Sequence, residues 1–90
     1  MNETITSGEF KDPNVIAELN TEIAKKTIKR LRIFNHSSLI CSLDPSEISV
    51  SLEYDRVRNV FSMISYQPYL YVILFDNEFS SIEINEVDWK

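Results

Sequence analysis

Histidine and cysteine, the residue types best suited to nucleophile and base chemistry, occur once each in this chain, as His36 and Cys41. A cysteine nucleophile needs a base within hydrogen-bond reach and surroundings that lower the thiol pKa. The two residues lie five positions apart across the predicted end of a helix, with no acid to orient the histidine and no helix N-terminus beside the thiol. We interpret His36 as a capping or surface residue and Cys41 as a small buried one.

Other catalytic and cofactor chemistry has even less support in the sequence. Metal sites built from cysteine and histidine need more ligands than these two, and no ladder of Asp, Asn and Gly resembles a calcium loop. The single glycine, Gly8, excludes a glycine-rich phosphate loop. Glu53 and Asp55 could in principle act as acid and base, but we expect them on a solvated strand face where nothing perturbs a carboxyl pKa. The sequence therefore predicts a non-enzymatic protein with no catalytic, cofactor or metal site.

Length and composition predict one globular domain over residues 1–90. Hydrophobic residues make up 43% and charged residues 26% of the chain, which is a folded rather than a disordered composition. The first residues lack the cation and apolar run of a signal peptide, and the longest apolar run is too short to span a bilayer. The lone cysteine needs no oxidising compartment. We expect a cytoplasmic protein without membrane contact, in which residues 1–11 form a flexible or edge segment.

A first helix is indicated by Asp12 and Pro13, because Asp caps free amides and Pro is well placed in a first helical turn. Apolar and Thr positions then recur at steps of three and four residues: Ile16, Leu19, Ile23, Thr27, Leu31 and Phe34. Basic residues crowd the second half of this stretch, which complements the helix dipole. The pattern predicts one helix that continues to the polar residues 35–38.

Beyond the helix the period changes to two, which is typical of strands. Residues 47–55 alternate strictly between apolar and polar side chains, and 39–43 form a possible short strand before the turn at Asp44 and Pro45. Residues 69–75 and 79–87 are expected to form a hairpin across the loop 76–78. Residues 56–66 fit a helix by spacing but a strand by composition, and we favour the strand.

These elements predict an α+β fold in which one N-terminal helix packs on an antiparallel sheet of four or five strands. The alternative places a second helix at 56–66.

Charge is distributed unevenly along the chain. Residues 1–40 carry five acidic and six basic residues, whereas residues 41–90 carry nine acidic and three basic ones. This balance argues against direct nucleic acid binding, which needs a basic face. A small acidic domain suits a basic site on another protein, to which long-range attraction steers it. We therefore expect Glu47, Glu53 and Asp55 to contact a partner protein, such as a basic nucleic-acid-handling enzyme.

The seven consecutive apolar residues of 69–75, YLYVILF, predict a second contact surface. A strand with one wet face needs apolar side chains at alternate positions only. Too few apolar residues remain to cover both sides of this strand, so we expect Leu70, Val72 and Leu74 to be buried against another chain, either a second copy or a different protein. The alternative is that residues 1–10 of the same chain cover this strand. Tyr66, Tyr69 and Trp89 would suit the same interface.

Two functions follow from these two surfaces. The first is a binding module, for example a stoichiometric inhibitor of the immunity or phage anti-defence type. The alternative is a structural subunit that self-associates as a homo-oligomer through the apolar strand.

Overall fold

The computed structural model describes residues 2–66 and 69–86 of the chain. The described residues contain one α-helix, α1, at Pro13–Ala24, preceded by a single 3-10 turn at Glu9–Lys11. Seven strands complete the fold: β1 Asn2–Thr6, β2 Ile28–Asn35, β3 Ser38–Leu43, β4 Val50–Asp55, β5 Val60–Tyr66, β6 Tyr69–Phe75 and β7 Ser81–Glu86. The α+β prediction is confirmed, with seven strands in two sheets where four or five in one sheet were expected.

The helix begins where the sequence predicted and ends much earlier. The Asp12 carboxylate accepts a hydrogen bond from the Asn14 amide at 2.9 Å, and Pro13 is the first helical residue. The predicted continuation of the helix to residues 35–38 is wrong, because Ile28–Asn35 forms β2. Lys26 adopts a positive φ of 62°, which turns the chain out of the helix without a glycine.

All strand pairs are antiparallel, and the strands form a four-stranded sheet and a three-stranded sheet. The four-stranded sheet has the order β1-β7-β2-β3, and the three-stranded sheet has the order β4-β5-β6. The favoured strand within 56–66 is confirmed as β5, and the predicted strands within 39–43 and 47–55 are confirmed as β3 and β4. Asp44 and Pro45 open a turn closed by the Glu47 amide on the Asp44 carbonyl at 3.2 Å.

The predicted hairpin of 69–75 with 79–87 is wrong, because its two strands belong to different sheets. β6 pairs with β5, whereas β7 lies between β1 and β2. The chain crosses between the sheets at Phe79, whose buried ring packs against Phe10 and Phe61 with centroid distances of 6.1 and 5.0 Å. Burial of this ring fixes the connection between β6 and β7 in the core, and β7 therefore joins the four-stranded sheet and does not pair with β6.

One hydrophobic core joins the two sheets and the helix. Leu31, Ile33 and Ile82 of the four-stranded sheet, together with Phe61 and Met63 of the three-stranded sheet, are fully buried within it. The helix contributes Leu19 and Ile23 and lies beside β4. Each sheet therefore has one face in the core and one outer face, and the outer faces are the surfaces on which functional side chains are sought.

Candidate functional site

Strand β6 turns one set of alternate residues toward the core and the other set toward solvent. Leu74 is buried and Val72 packs against the core, while Leu70 lies at its margin with 37% of its surface exposed. These three residues, which the sequence assigned to a contact with another chain, are therefore directed toward the protein's own core. The register with β5 fixes this choice, because Leu74 lies opposite the buried Phe61.

The solvent side of β6 instead completes an apolar surface on the outside of the three-stranded sheet. Phe75 lies opposite Val60, and Tyr71 lies opposite Ile64. We call this surface the tyrosine face, and it consists of Val60, Ile64, Tyr66, Tyr69, Tyr71, Ile73 and Phe75. The three tyrosines, Ile73 and Phe75 are each 47–72% exposed. Since large side chains bury about 150–250 Å² each, these five expose on the order of 500 Å² together, near the upper limit for a monomer.

The outside of the four-stranded sheet is polar at its centre. Arg32 of β2 forms an ion pair with Glu83 of β7, and Thr4 of β1 lies directly opposite Glu83. Arg30 donates a hydrogen bond to the Ser42 hydroxyl on the same side at 3.4 Å. Among the described residues, the four-stranded sheet thus exposes two large apolar side chains, Leu39 and Ile40, both on its edge strand β3, whereas the three-stranded sheet exposes five on its tyrosine face.

Acidic side chains lie along the β4 side of the tyrosine face. Glu53 is exposed, lies opposite Ser62 of β5, and forms no ion pair with any described residue. A groove of about 390 Å³ runs from Glu53 across to Ile73 and Phe75. An apolar floor with a free carboxylate at its border can accept an apolar side chain next to a cation.

Asp55, unlike Glu53, stabilises the turn that follows it. Its carboxylate accepts hydrogen bonds from the Val57 amide at 2.9 Å and from the Arg58 side chain at 2.9 Å. The hydrogen bond from Arg58 is the main reason that the pKa of Asp55 lies below its usual range. Asp55 therefore holds the turn between β4 and β5, and its charge is already paired.

Glu47, the third predicted contact residue, is exposed in the turn before β4. It lines a shallow depression together with Lys26 and Tyr66. The predicted acidic residues are thus spread along the border of the three-stranded sheet, with Glu47 near one end of the tyrosine face and Glu53 beside its middle. Trp89, which the sequence suggested for the same interface, lies outside the described residues.

The two edge strands of the three-stranded sheet, β4 and β6, also differ in how their outer backbone groups are protected. On β4 the side-chain amide of Asn20 replaces a neighbouring strand: its nitrogen donates to the Leu52 carbonyl at 2.8 Å and its oxygen accepts from the Leu52 amide at 2.9 Å. Lys26 donates to the carbonyls of Pro45 and Ile48 just before β4. On the opposite side, β6 pairs with no strand other than β5 among the described residues.

The residues with potential for covalent chemistry lie away from the tyrosine face. His36 is exposed in the turn between β2 and β3, where its amide donates to the Ser80 hydroxyl at 2.7 Å. Cys41 is half-buried on β3 opposite Ile33, and burial raises the pKa of its thiol. Within residues 2–66 and 69–86, no three potential ligands from His, Cys, Asp and Glu lie together as a metal site.

Among the exposed residues of the tyrosine face on β6, the sequence identified Tyr69 but not Tyr71, Ile73 or Phe75, although a signal was present. Tyr69, Tyr71 and Phe75 occupy one set of alternate positions, and the purely aliphatic Leu70, Val72 and Leu74 occupy the other. Tyrosine keeps a polar hydroxyl in water and suits surfaces, which favours the aromatic set as the outer one.

The one described helix is too short and too polar to cross a membrane.

Comparison with known proteins identifies no relative. No protein-family model matches the chain, and no match was found among curated proteins or solved structures.

Proposed function

We propose that this protein is a non-enzymatic binding module that docks on a partner protein through the tyrosine face. The observation that carries the proposal is the tyrosine face itself, on which five large apolar or aromatic side chains are 47–72% exposed, whereas the four-stranded sheet exposes only Leu39 and Ile40 of this kind among its described residues. Aromatic side chains dominate the binding energy of many interfaces because they bury large areas at a small cost in conformational entropy.

The chemistry of the face favours a partner with an apolar contact patch bordered by Lys or Arg. Glu53 beside the groove forms no ion pair with any described residue, and Glu47 is exposed near one end of the face, so the border of the face carries a negative potential. Such a field steers a positively charged partner toward the face and raises its association rate. A stoichiometric inhibitor that occupies a basic site, such as that of a nucleic-acid-handling enzyme, is the form of binding that suits this combination.

The first test uses the immobilised protein to capture partners from native lysate, with the captured proteins identified by mass spectrometry. Tyr71→Ala removes an aromatic contact from the tyrosine face, and Leu39→Ala is the matched control because Leu39 is similarly exposed on the other sheet, at 54% against 47% for Tyr71. We expect a protein captured by the wild type to be lost with Tyr71→Ala and retained with Leu39→Ala. Equal retention by both variants would contradict the proposal.

The second test measures the association rate with the partner identified in this way. Glu53→Gln removes the free carboxylate beside the groove, and Glu18→Gln is the control because it neutralises an exposed carboxylate on the helix. We expect only Glu53→Gln to slow association and to weaken its dependence on salt. An association rate that is indifferent both to salt and to Glu53 would exclude a basic partner.

The second candidate function, a self-associating structural subunit, is favoured by a different observation, namely the unprotected edge of β6.

A further inference from the structure

The outer edge of β6 lacks the features by which proteins usually prevent strands from pairing with other chains. β6 pairs with β5 through all seven of its residues without a register shift. It contains no charged residue, no proline and no bulge, and among the described residues side-chain cover of its backbone is confined to its last residue, Phe75, whose amide donates to the Glu78 carboxylate at 2.9 Å. An open edge presents a row of backbone donors and acceptors, and natural proteins normally interrupt such a row with a charge, a bulge or a covering element.

The other described edge strands carry such features. β4 is covered by the Asn20 amide, which occupies both backbone groups of Leu52. β3 has a register shift against β2 next to Ile33 and Phe34. β1 is only five residues long and carries Glu3. The unprotected edge is therefore particular to β6 among these strands.

We infer that β6 pairs with β6 of a second copy of the chain, antiparallel about a two-fold axis at Val72. The two three-stranded sheets then become one six-stranded sheet, and each copy contributes the same residues to the contact. The inference specifies the contact of the second candidate function and rests on that candidate; it is independent of docking through the tyrosine face, because it uses the edge of β6 and leaves that face open.

The sequence of β6 is complementary to itself in this arrangement. With the axis at Val72, Tyr71 of each copy lies opposite Ile73 of the other on the outer face, and Leu70 lies opposite Leu74 on the inner face. Aromatic and β-branched side chains form favourable cross-strand pairs. The pairing brings no like charges together, although the chain as a whole carries a net charge of −5 that opposes other contacts between copies.

The position of the axis follows from the ends of the strand. An axis at Val72 uses all seven residues of β6, whereas an axis at Ile73 would bring Asp76 of one copy opposite Leu70 of the other. In the single chain the Asp76 carboxylate pairs with Lys11 at 3.2 Å, just beyond the strand. An axis at Tyr71 would also leave Asp76 outside the pairing but would use only residues 69–73 of β6, so the axis at Val72 is the one that uses the whole strand and excludes the charge.

The contact is expected to be moderate in strength. An edge-to-edge contact of one strand buries less than the roughly 1,000 Å² that a tight complex needs, so we expect a dissociation constant on the order of micromolar. Sedimentation velocity across a micromolar-to-millimolar series should therefore show a monomer–dimer transition. A wild type that stays monomeric throughout would overturn the inference.

Two double variants separate edge pairing from packing of one tyrosine face on another. Tyr71→Lys with Ile73→Lys places lysine opposite lysine twice in the paired strands, and should weaken the dimer roughly tenfold or more. Tyr71→Lys with Ile73→Glu places opposite charges together at the same two positions, and should stay within roughly fivefold of the wild type. Both variants remove the same two apolar side chains, so face-to-face packing would lose the dimer in both.

The matched control is Thr4→Lys with Thr6→Lys, which adds the same charge at two exposed alternate positions of another edge strand, β1. It should leave the dimer unchanged, and circular dichroism should show a native fold for all three variants. Loss of the dimer in this control would assign the effect to net charge and overturn the inference.

Hydrogen exchange of the wild type provides a test without substitutions. Amides within Leu70–Leu74 should gain protection as the concentration rises through the transition, while those of β4 should not. Edge pairing would be overturned if the amides of β4 gained protection together with those of β6, or if the amides of β6 gained none.

Discussion

Replacement of Asn20 tests whether a single side chain protects the edge of β4. Both atoms of its amide bond the backbone of Leu52, at 2.8 and 2.9 Å. A typical hydrogen bond contributes about 0.5–1.5 kcal/mol net, and an unsatisfied buried partner costs about 1–3 kcal/mol more. Because the site is half-buried, water can replace part of the loss, so we expect Asn20→Ala to lower the free energy of unfolding by about 2–3 kcal/mol.

The assay is urea denaturation followed by circular dichroism, combined with hydrogen exchange of the Leu52 amide. For a domain of this size, about 2–3 kcal/mol corresponds to a fall of roughly 10–20 °C in Tm. Asn20→Asp keeps an acceptor for the Leu52 amide but loses the donor to its carbonyl, so the amide should stay more protected than in Asn20→Ala. The matched control is Asn14→Ala, since Asn14 is exposed on the same helix. If both alanine variants unfold at the same urea concentration and the Leu52 amide exchanges as in the wild type, the reasoning is refuted.

Four further predictions follow from the geometry. Asp12→Ala should cost about 1 kcal/mol of unfolding free energy in urea denaturation, because the helix loses its N-cap. Phe79→Ala should cost about 3–5 kcal/mol in the same assay, through a cavity between two aromatic rings. Val72→Lys should unfold the protein by placing a charge against the core, whereas Ile73→Lys should leave its circular dichroism native. Asp55→Asn should lower Tm at neutral pH but not in acid. The pKa of the Asp55 carboxyl is lower in the folded than in the unfolded protein. The stabilisation that its charge provides is therefore present above roughly pH 4 and is lost as pH falls through the folded pKa.

Local signals in the sequence were sufficient for several elements. Asp12 and Pro13 locate the start of the helix because a cap and a first-turn proline act within a few residues. The alternation of 47–55 predicts β4 correctly, since one side of that strand faces the core and the other faces water. β-branched and aromatic residues at 60–66 outweigh the helical spacing and favour the strand that forms there.

The end of the helix could not be read from the same kind of signal. Leu31 continues the three-and-four spacing of the helix, but it also alternates with Arg30 and Arg32, as a strand residue does. Burial of Leu31 and Ile33 in the four-stranded sheet decides between the two periods. The terminating residue, Lys26, gives no sequence signal, because lysine rarely adopts a positive φ.

The candidate site was predicted only in part, because the sequence of β6 does not alternate between apolar and polar residues. Seven apolar residues in a row indicate correctly that β6 is unusual, but they are apolar at both sets of alternate positions. The pairing of β6 with β5 decides which set is buried, and the sequence analysis paired β6 with the wrong strand. The proposed contact surface therefore consists of the side chains on the opposite side of β6 from Leu70, Val72 and Leu74.

The position of β7 in the four-stranded sheet has a consequence for the order of folding. β4, β5 and β6 follow one another in the chain and pair with their sequence neighbours, so each hairpin closes only a short loop. Among the described strands β1 pairs only with β7, about eighty residues later, and β7 also pairs with β2. Closing such a long loop is entropically expensive and slows folding. The three-stranded sheet is therefore expected to form first, with its apolar outer side and open edge already present while the four-stranded sheet still lacks a central strand.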